Sequence, residues 1–204
     1  HFLYNVLASI RMIAMIHQDQ EVADIILALN RLLRNTISKA GHMITISEEM
    51  NNLKDYITLQ QIRYKNRISI DYIVDDSILS YKIPGMLLQP LVENAISHGL
   101  NDKLNQGGKD ARIIIRGAAK GTDLFLEVED NGRGIHKNYI QKIFDGQTEK
   151  YEGAETHIGI KNTHERIQLE FGNAYGISID SALGEYTRVT VKLPIIDGRD
   201  VEND

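Results

Sequence analysis

The sequence predicts an α+β fold, in which an N-terminal helical hairpin precedes an α/β sandwich with a mixed sheet. Three observations lead to this prediction. Apolar residues recur at helical spacing near the start, alternation typical of strands begins near residue 68, and later strand-like runs are separated by helix-like ones. A chain of 204 residues with 42% hydrophobic content is long enough to bury a core.

The hairpin is predicted from two amphipathic helices joined by a polar turn at residues 18–20. The first apolar series is Phe2, Val6, Ile10 and Ile13, and the second is Val22, Ile25, Ile26, Leu29, Leu32, Leu33 and Thr36. A hairpin of this size has too little core to be stable alone. Its apolar faces are therefore expected to pack either against a second copy, as a dimeric four-helix bundle, or against the rest of the same chain.

A third helix is predicted between the hairpin and the first strand. Gly41 ends the second helix, because glycine readily adopts the left-handed conformation that follows helix C-termini. Ser47 is a good N-cap, and Glu48 and Glu49 then lie in a first turn where the helix dipole favours negative charge. We expect this helix to end near Tyr64.

The second part of the chain is predicted to contain strands and helices in mixed order. Residues 68–74 alternate apolar and polar side chains and predict a strand. Pro84 is predicted to open a helix that reaches Leu100, with a polar loop after it at 101–110. Further strands are predicted at 112–118, 123–129, 176–181 and 187–193, and further helices at 137–144 and 160–171. This order predicts helices packed on one face of a mixed sheet.

Composition excludes several classes of function. The formal net charge of -5 and the pI near 5.8 argue against general affinity for nucleic acid. The chain contains no Cys, which excludes disulfides, thiolate metal sites and cysteine nucleophiles. No apolar run approaches the ~20 residues needed to cross a bilayer, so we expect a soluble chain without direct membrane contact.

One polar motif, Asp130-Asn-Gly132-Arg-Gly134-Ile135, follows a predicted strand. A buried aspartate at a strand end can accept a hydrogen bond from an exocyclic amine, and glycines let a flat base approach the backbone closely. This chemistry suits adenine, although the same pattern is often only a tight turn between a strand and a helix. A dinucleotide-binding loop is disfavoured, since Lys137 stands where a third glycine is needed.

A second set of polar residues lies on the predicted helix that ends at Leu100. Asn94 and His98 are one turn apart and share a face, and Glu93 precedes them. An amide oxygen suits Mg²⁺, and Glu93 could act as a base or hold a metal-bound water. The alternative is an amphipathic helix whose polar side merely faces solvent.

A third motif, Gly159-Ile160-Lys161-Asn162, leads into the next helix. The free N–H groups of a helix N-terminus bind phosphate, and Lys161 would add positive charge. A glycine in a loop before a surface helix would look the same.

In this order, the three motifs resemble the N, G1 and G2 boxes of the ATPase superfamily that includes gyrase, heat-shock chaperones, histidine kinases and mismatch-repair proteins. The first residues, His1-Phe-Leu-Tyr-Asn5, resemble the phosphoacceptor motif of sensor histidine kinases of the LytS and YesM type. The resemblance covers nearly the whole chain. It implies a dimerisation and histidine phosphotransfer region at 1–64, an ATP-binding catalytic domain at 65–196 and a tail at 197–204.

The resemblance also implies roles for individual residues. His1 would accept the γ-phosphoryl group of ATP on a ring nitrogen, Glu93 would help to activate it, and Asn5 would position water for dephosphorylating a partner. Asn94 would ligate Mg²⁺, and Asp130 would bind the adenine amino group. The implied nucleotide-binding set is Asn94, His98, Asp130, Gly132, Gly134, Ile135, Gly159, Ile160, Lys161, Asn162 and Thr187, with a lid at 145–157.

The implied partners are a second copy of the chain and the receiver domain of a response regulator, whose Asp would take the phosphoryl group. The sequence does not begin with Met, and we expect the cytoplasmic portion of a membrane-bound sensor. Two departures from the family pattern, His157 and Tyr186 in place of glycines, are expected to add bulk near the phosphates and the base. Two other functions stay open: a degenerate kinase that acts as a non-catalytic scaffold, and an ATPase of the same superfamily that drives conformational change.

Overall fold

The computed structural model of the chain describes residues 2–39, 42–105, 110–145 and 158–197. It begins with the predicted hairpin, formed by α1 (Phe2–Ile16) and α2 (Gln20–Lys39). Gln18, with φ at +58°, lies in the turn, and the Asp19 carboxylate accepts a hydrogen bond from the N–H of Val22 at 3.1 Å. The hairpin prediction is therefore confirmed.

Much of the apolar surface of α1 is not covered by the described residues. One side of α1 packs on α2, where Leu7 and Ala14 are buried. On α2, buried residues include Ala23 and Ile26, and α2 also packs against the next helix, α3 (Ile46–Arg63). The exposed apolar side chains of α1 are Phe2, Leu3, Val6, Ile10, Met12, Ile13, Met15 and Ile16.

The predicted N-cap of α3 is wrong by two residues. Thr45, rather than Ser47, caps the helix: its hydroxyl accepts a hydrogen bond from the N–H of Glu48 at 3.1 Å, and Glu48 Oε2 accepts one from the N–H of Thr45 at 2.9 Å. Thr45 also ends a short strand, β1 (Met43–Thr45). The sequence Thr45-Ile-Ser-Glu48 matches the capping-box pattern, so the signal for the true cap was present but was overlooked in favour of Ser47.

The capping box leads to a prediction about stability. Thr45→Ala is expected to lower the free energy of unfolding by about 1 kcal/mol, because it removes the acceptor of one helix N–H group. Ser47→Ala, inside the helix and exposed, is expected to change it by less than about 0.5 kcal/mol. Urea unfolding of the two variants measures the difference. Equal effects would contradict the assignment of the cap to Thr45.

The central sheet has five strands in the order β2-β4-β5-β7-β6. β2 runs parallel to β4, and the other neighbours are antiparallel, so the mixed sheet is confirmed. The strands are β2 (Ile68–Val74), β4 (Ala111–Lys120), β5 (Asp123–Asp130), β6 (Gly176–Ala182) and β7 (Tyr186–Pro194). Alternate residues of β5 and β7 are buried, which places the core on one face of the sheet.

Helix α3 shares this core with the sheet. Its buried residues Ile46, Leu53 and Ile57 belong to the same hydrophobic cluster as Ile113 and Leu126 of the strands. Helix α3 therefore packs against both the sheet and the hairpin. The division of the chain after residue 64 stays a prediction.

The predicted helix from Pro84 to Leu100 is corrected at its start. Pro84 ends a strand, β3 (Lys82–Pro84), which pairs with β1. The helix, α4 (Gln89–Asn94), has Pro90 in its first turn. The proline that marks the start of the helix is therefore Pro90 and not Pro84. After α4 come a π-helical turn at 95–99 and a short helix, α5 (Asn101–Asn105), in what was predicted to be a loop.

The last two helices pack beside each other on the core. They are α6 (Lys137–Asp145) and α7 (Ile158–Phe171), and α7 begins two residues before the predicted start. Within the described residues, no helix is long and apolar enough to span a membrane.

Candidate active site

A cavity of about 470 Å³ lies between the sheet and the helices that cover it. Strands β5 and β7 form its floor, α4 and the π-helical turn form one wall, and α6 and the start of α7 form the other. Its apolar lining residues are Leu91, Ala95, Val128, Ile135, Ile160, Leu183 and Val189, and its polar ones include Asn94, His98, Asp130, Arg133, His136, Asn138, Tyr139, Lys142 and Thr187.

Asp130 lies at the bottom of one end of this cavity. It is the last residue of β5 and is 4% exposed, because the alternation of the strand turns it toward the core. Its Oδ1 accepts a hydrogen bond from the N–H of Gly132 at 2.9 Å. Burial raises the pKa of the Asp130 carboxyl to about 7, with a smaller contribution from Glu129, while the Gly132 N–H and Lys103 oppose the rise.

Three glycines surround the Asp130 carboxylate and the loop after it. A Cβ added at Gly99 would overlap that carboxylate, and one added at Gly132 would lie 2.6 Å from Asp130 Oδ1 and overlap the Gly99 carbonyl. Gly134 has φ at +68°, and a Cβ there would overlap the carbonyl of Ala182. The glycines therefore let the backbone pack closely around the aspartate.

Hydroxyl groups on the last two strands complete this end of the cavity. Thr187 lies directly across from Asp130 in the register of β5 and β7 and is buried. Its Oγ1 is 3.3 Å from Ser181 Oγ, which accepts a hydrogen bond from the N–H of Ile135 at 2.8 Å. The loop after Asp130 is thus held to β6 as well as to the π-helical turn, where the Arg133 N–H donates to the Gly99 carbonyl at 3.0 Å.

Asn94 and the start of α7 lie together at another part of the cavity. The amide nitrogen of Asn94 donates to the Pro90 carbonyl at 2.8 Å, which leaves the amide oxygen as the atom with which Asn94 can bind a cation. A Cβ added at Gly159 would lie 3.9 Å from that amide nitrogen and 3.6 Å from Pro90 Cβ. An amide oxygen that is free to bind a cation and the N-terminus of a long helix therefore lie side by side.

Several predicted site residues are placed away from the cavity lining. Glu93 is exposed on the adjacent face of α4, where it accepts a hydrogen bond from Gln89 at 3.0 Å. Lys161 lies 3.6 Å from Glu165 on α7, and Asn162 is exposed. Asn5 is exposed on α1. His1 and residues 146–157 of the predicted lid lie outside the described residues.

The expectation that Tyr186 crowds the base is wrong. Side chains alternate along β7, so the buried Thr187 faces the cavity and Tyr186 points to the other face of the sheet. There the Tyr186 hydroxyl donates to Asp180 at 2.8 Å, and Arg188 lies over its ring. His157, the other departure, lies outside the described residues.

Sequence reasoning missed one wall of the cavity. His136, Tyr139 and Lys142 recur every third residue across the start of α6 and all line the cavity. This spacing places them on one helical face, a signal that was present in the sequence. Burial lowers the pKa of His98, and the charge of Arg133 lowers it further, so both basic groups lie close to the same space.

Comparison with known families agrees with this geometry. The family model described as histidine kinase-, DNA gyrase B- and HSP90-like ATPase matches residues 83–197, which is more than half of the chain, and the histidine kinase model matches residues 1–68. The chain belongs to the histidine kinase family. The resemblance stated from the sequence motifs is therefore confirmed.

Curated relatives within this kinase family span nearly the whole chain. Sensor histidine kinase YesM of Bacillus subtilis is 34% identical over 95% of the chain, and sensor histidine kinase BtsS of Escherichia coli is 28% identical over 95%. The sensor histidine kinase/phosphatase LytS of Staphylococcus aureus is 28% identical over 89%. The chain covers only 30 to 31% of the length of these relatives.

Solved structures of kinases share the fold. The catalytic domain of histidine kinase ThkA matches 74% of this chain and 95% of its own, with a TM-score of 0.57 and 18% identity. Full-length ShkA, solved in complex with AMPPNP, matches 91% of this chain and 39% of its own, with a TM-score of 0.58 and 12% identity. At these identities the similarity shows the fold, so the predicted α+β class is confirmed.

The site residues of this kinase-family chain fit a nucleotide and a metal ion. Glycines let the backbone pack against Asp130 where an added Cβ would collide, and the buried carboxylate, which lines the cavity, is an acceptor for an amino group. The oxygen of Asn94 suits a hard cation such as Mg²⁺, which is usually held by few protein ligands together with phosphates.

Proposed function

We propose that the chain binds ATP with Mg²⁺, transfers the γ-phosphoryl group to His1 and passes it to an Asp of a response regulator. One observation carries the proposal: a single cavity has a buried carboxylate framed by glycines at one end, and a metal-ligand amide beside a helix N-terminus at another. These are the groups needed for adenine and for metal-bound phosphates.

Adenine would lie at the Asp130 end of the cavity. The Asp130 carboxylate would accept a hydrogen bond from the amino group, and Thr187 would approach the base from β7. The apolar residues Val128, Ile135 and Val189 would contact the ring faces and exclude water. His98 would lie along the same wall, on the turn that follows Asn94.

The phosphates would extend toward Asn94 and α7. The amide oxygen of Asn94 would ligate Mg²⁺, which neutralises phosphate charge when bound. Gly159 and Ile160 lie in the first turn of α7, whose free N–H groups would bind phosphate oxygens, with Lys161 and Asn162 reaching the same region. Phosphoryl transfer depends mainly on such positioning and charge neutralisation.

The acceptor would be the neutral imidazole of His1. One ring nitrogen would attack the γ-phosphorus as the bond to the bridging oxygen breaks, giving phosphohistidine and ADP, while Glu93 would take the proton lost from the ring. The phosphoryl group would then move to a carboxylate of the receiver domain, and Asn5 would position water for its later hydrolysis. The match of the histidine kinase family model to residues 1–68 supports the assignment of this role to the hairpin.

A second copy of the chain would cover the exposed face of α1. Of the exposed apolar side chains, Phe2, Val6, Ile10 and Ile13 share one face, and two hairpins packed through this face would bury it in a four-helix bundle. Dimers of this kind would bring each ATP-binding domain near two acceptor hairpins.

Incubation with γ-labelled ATP and Mg²⁺ tests the proposed function. The chain is expected to become labelled with a phosphate that is lost in acid and kept in alkali, because the phosphorus–nitrogen bond is acid-labile. His1→Gln is expected to remove the label and leave ATP affinity, measured by calorimetry, within about threefold. His17→Gln, on the same hairpin, is the matched control and is expected to retain the label.

Two other outcomes would contradict the proposal and support a different function. Hydrolysis of ATP without any label would indicate an ATPase that drives conformational change. Absence of both binding and label would indicate a non-catalytic scaffold.

A further inference from the structure

Glu49 is a buried carboxylate to which the proposed function gives no role. It lies in the first turn of α3 and is 1% exposed. Its Oε1 accepts hydrogen bonds from the N–H groups of Leu87 at 2.7 Å and Leu88 at 2.8 Å, and its Oε2 accepts one from Met86 at 3.0 Å. A buried carboxylate is unfavourable unless such donors compensate it, so Glu49 and this backbone segment depend on each other.

The loop at residues 85–88, which Glu49 binds, is strained and is held by side chains from two helices. Met86 has φ at +59°, in the left-handed region that residues other than glycine rarely adopt. On its other side, Nη2 of Arg166 on α7 donates to the Gly85 carbonyl at 3.2 Å. Burial raises the pKa of Glu49, whereas the three N–H groups and the charge of Arg166 act against that rise. A carboxylate from α3 and a guanidinium from α7 thus hold the same loop.

This loop sets the position of the helix that carries Asn94. The N–H of Leu88 is bound by Glu49, and the carbonyl of Leu88 accepts the first helical hydrogen bonds of α4, from Leu91 and Val92 at 3.1 Å. Asn94 ends the same helix and is tied to it through Pro90. A shift of the loop would therefore move α4 as a unit and carry the Asn94 oxygen with it.

The position of α4 also matters for the phosphate side of the cavity. Pro90 lies 3.6 Å from the Cβ position of Gly159 at the start of α7. Arg166 is on that same helix, so the loop joins the metal-ligand helix and the phosphate-binding helix to α3. The adenine end is built mainly on β5, β7 and the loop after Asp130, and the turn that carries Gly99 is held to that loop by the Arg133 N–H. Glu49 contacts none of these through the hydrogen bonds above.

We infer that Glu49 is a positioning residue for the metal and phosphate end of the site: it holds α4 so that the Asn94 oxygen and the N-terminus of α7 act on the same Mg²⁺–phosphate group. The inference rests on the proposed nucleotide site. It assigns to α3, which follows the acceptor hairpin in the chain, a direct effect on metal-dependent nucleotide binding but not on adenine recognition.

Calorimetric titration of ATP into the whole chain, with Mg²⁺ and then with EDTA, tests this inference. Glu49→Gln places an amide N–H against backbone donors and is expected to weaken binding in Mg²⁺ by about tenfold or more, as losses of groups that orient metal ligands do. Binding in EDTA is expected to change by less than about threefold, because none of the hydrogen bonds of Glu49 reaches Asp130, Thr187 or the loop after Asp130. The gain in affinity that Mg²⁺ gives should therefore shrink about tenfold.

Leu53→Ala is the matched control, since Leu53 is a buried residue one turn further along α3. It is expected to lower the melting temperature without changing the ratio of the two affinities. If Glu49→Gln does not fold, Arg166→Lys, which alters the same loop from α7, is measured in its place. An unchanged ratio in the variant, or an equal change in Leu53→Ala, overturns the inference. Failure of the unmodified chain to bind ATP would instead contradict the proposed function.

Discussion

Asp130→Asn is expected to abolish nucleotide binding and, at the same time, to make the ligand-free protein more stable above pH 7. The carboxylate is the acceptor proposed for the adenine amino group, and an asparagine amide would present a donor in part of the same space. Loss of a buried hydrogen bond to a charged partner weakens binding by about 100-fold or more. The fold, however, holds this charge at a cost.

The sign of the stability effect follows from the pKa of Asp130, which rises from 3.8 to about 7 on folding. Between these two values the unfolded chain has lost the proton and the folded chain still holds it, so stability falls as the pH rises through this window and is level above it. A shift of about three units corresponds to at most roughly 4 kcal/mol, and asparagine, which does not ionise, avoids this loss.

Calorimetry with ATP and urea unfolding between pH 4 and pH 9 measure both effects. The stability advantage of Asp130→Asn over the unmodified chain should be small at pH 4 and largest above pH 7. Asp123→Asn is the control on the same strand, because Asp123 is only partly buried and pairs with Lys192 at 2.9 Å. A stability difference that does not depend on pH would show that Asp130 is not held with a raised pKa.

Gly132→Ala is expected to cause the second large loss, in both stability and nucleotide affinity. Its Cβ would overlap the Gly99 carbonyl and lie 2.6 Å from Asp130 Oδ1, and most of these neighbours are backbone atoms that cannot turn away. The π-helical turn and the loop after Asp130 must then separate. We expect unfolding free energy to fall by about 3 kcal/mol or more and ATP affinity to fall by about 100-fold.

Gly121→Ala separates this steric effect from the general effect of losing a glycine. Gly121 has φ at +63° and no atom within 4 Å of an added Cβ, so its substitution is expected to lower stability by only about 1 kcal/mol and to leave ATP affinity unchanged. Urea unfolding and calorimetry on both variants provide the comparison. Similar losses for the two glycines would contradict the close packing proposed around Asp130.

A site residue could be predicted when the residues that identify it lie close together in the sequence. Asp130, Gly132 and Gly134 lie within five residues at the end of a strand, and Asn94 and His98 lie one turn apart on a helix, so each group could be recognised from spacing. Gly99 directly follows His98, but the requirement for glycine at this position arises from contact with Asp130, which is distant in sequence. Only the fold brings those two residues together.

The same distinction explains the errors at the element boundaries. Pro84 ends β3, whose partner is the three-residue strand β1, so its place in a strand could not be assigned without the pairing. The cap at Thr45, by contrast, has a local signal, the capping-box pattern with Glu48. Tyr186 was expected near the base, and the direction of its side chain followed only from the register of β7 with β5. A shift of one residue in a strand reverses which face a side chain occupies.

By itself, the sequence determined the fold class, the family and the groups proposed to bind adenine, because helical periodicity, strand alternation and short motifs are local properties of a chain. The tertiary structure alone decided which distant residues support those groups. The sequence predicted only that Glu49 interacts favourably with the dipole of its helix, yet its carboxylate accepts hydrogen bonds from three backbone N–H groups 37 to 39 residues away. These hydrogen bonds form because the fold buries the carboxylate beside backbone N–H groups that need an acceptor, and no local sequence pattern predicts them.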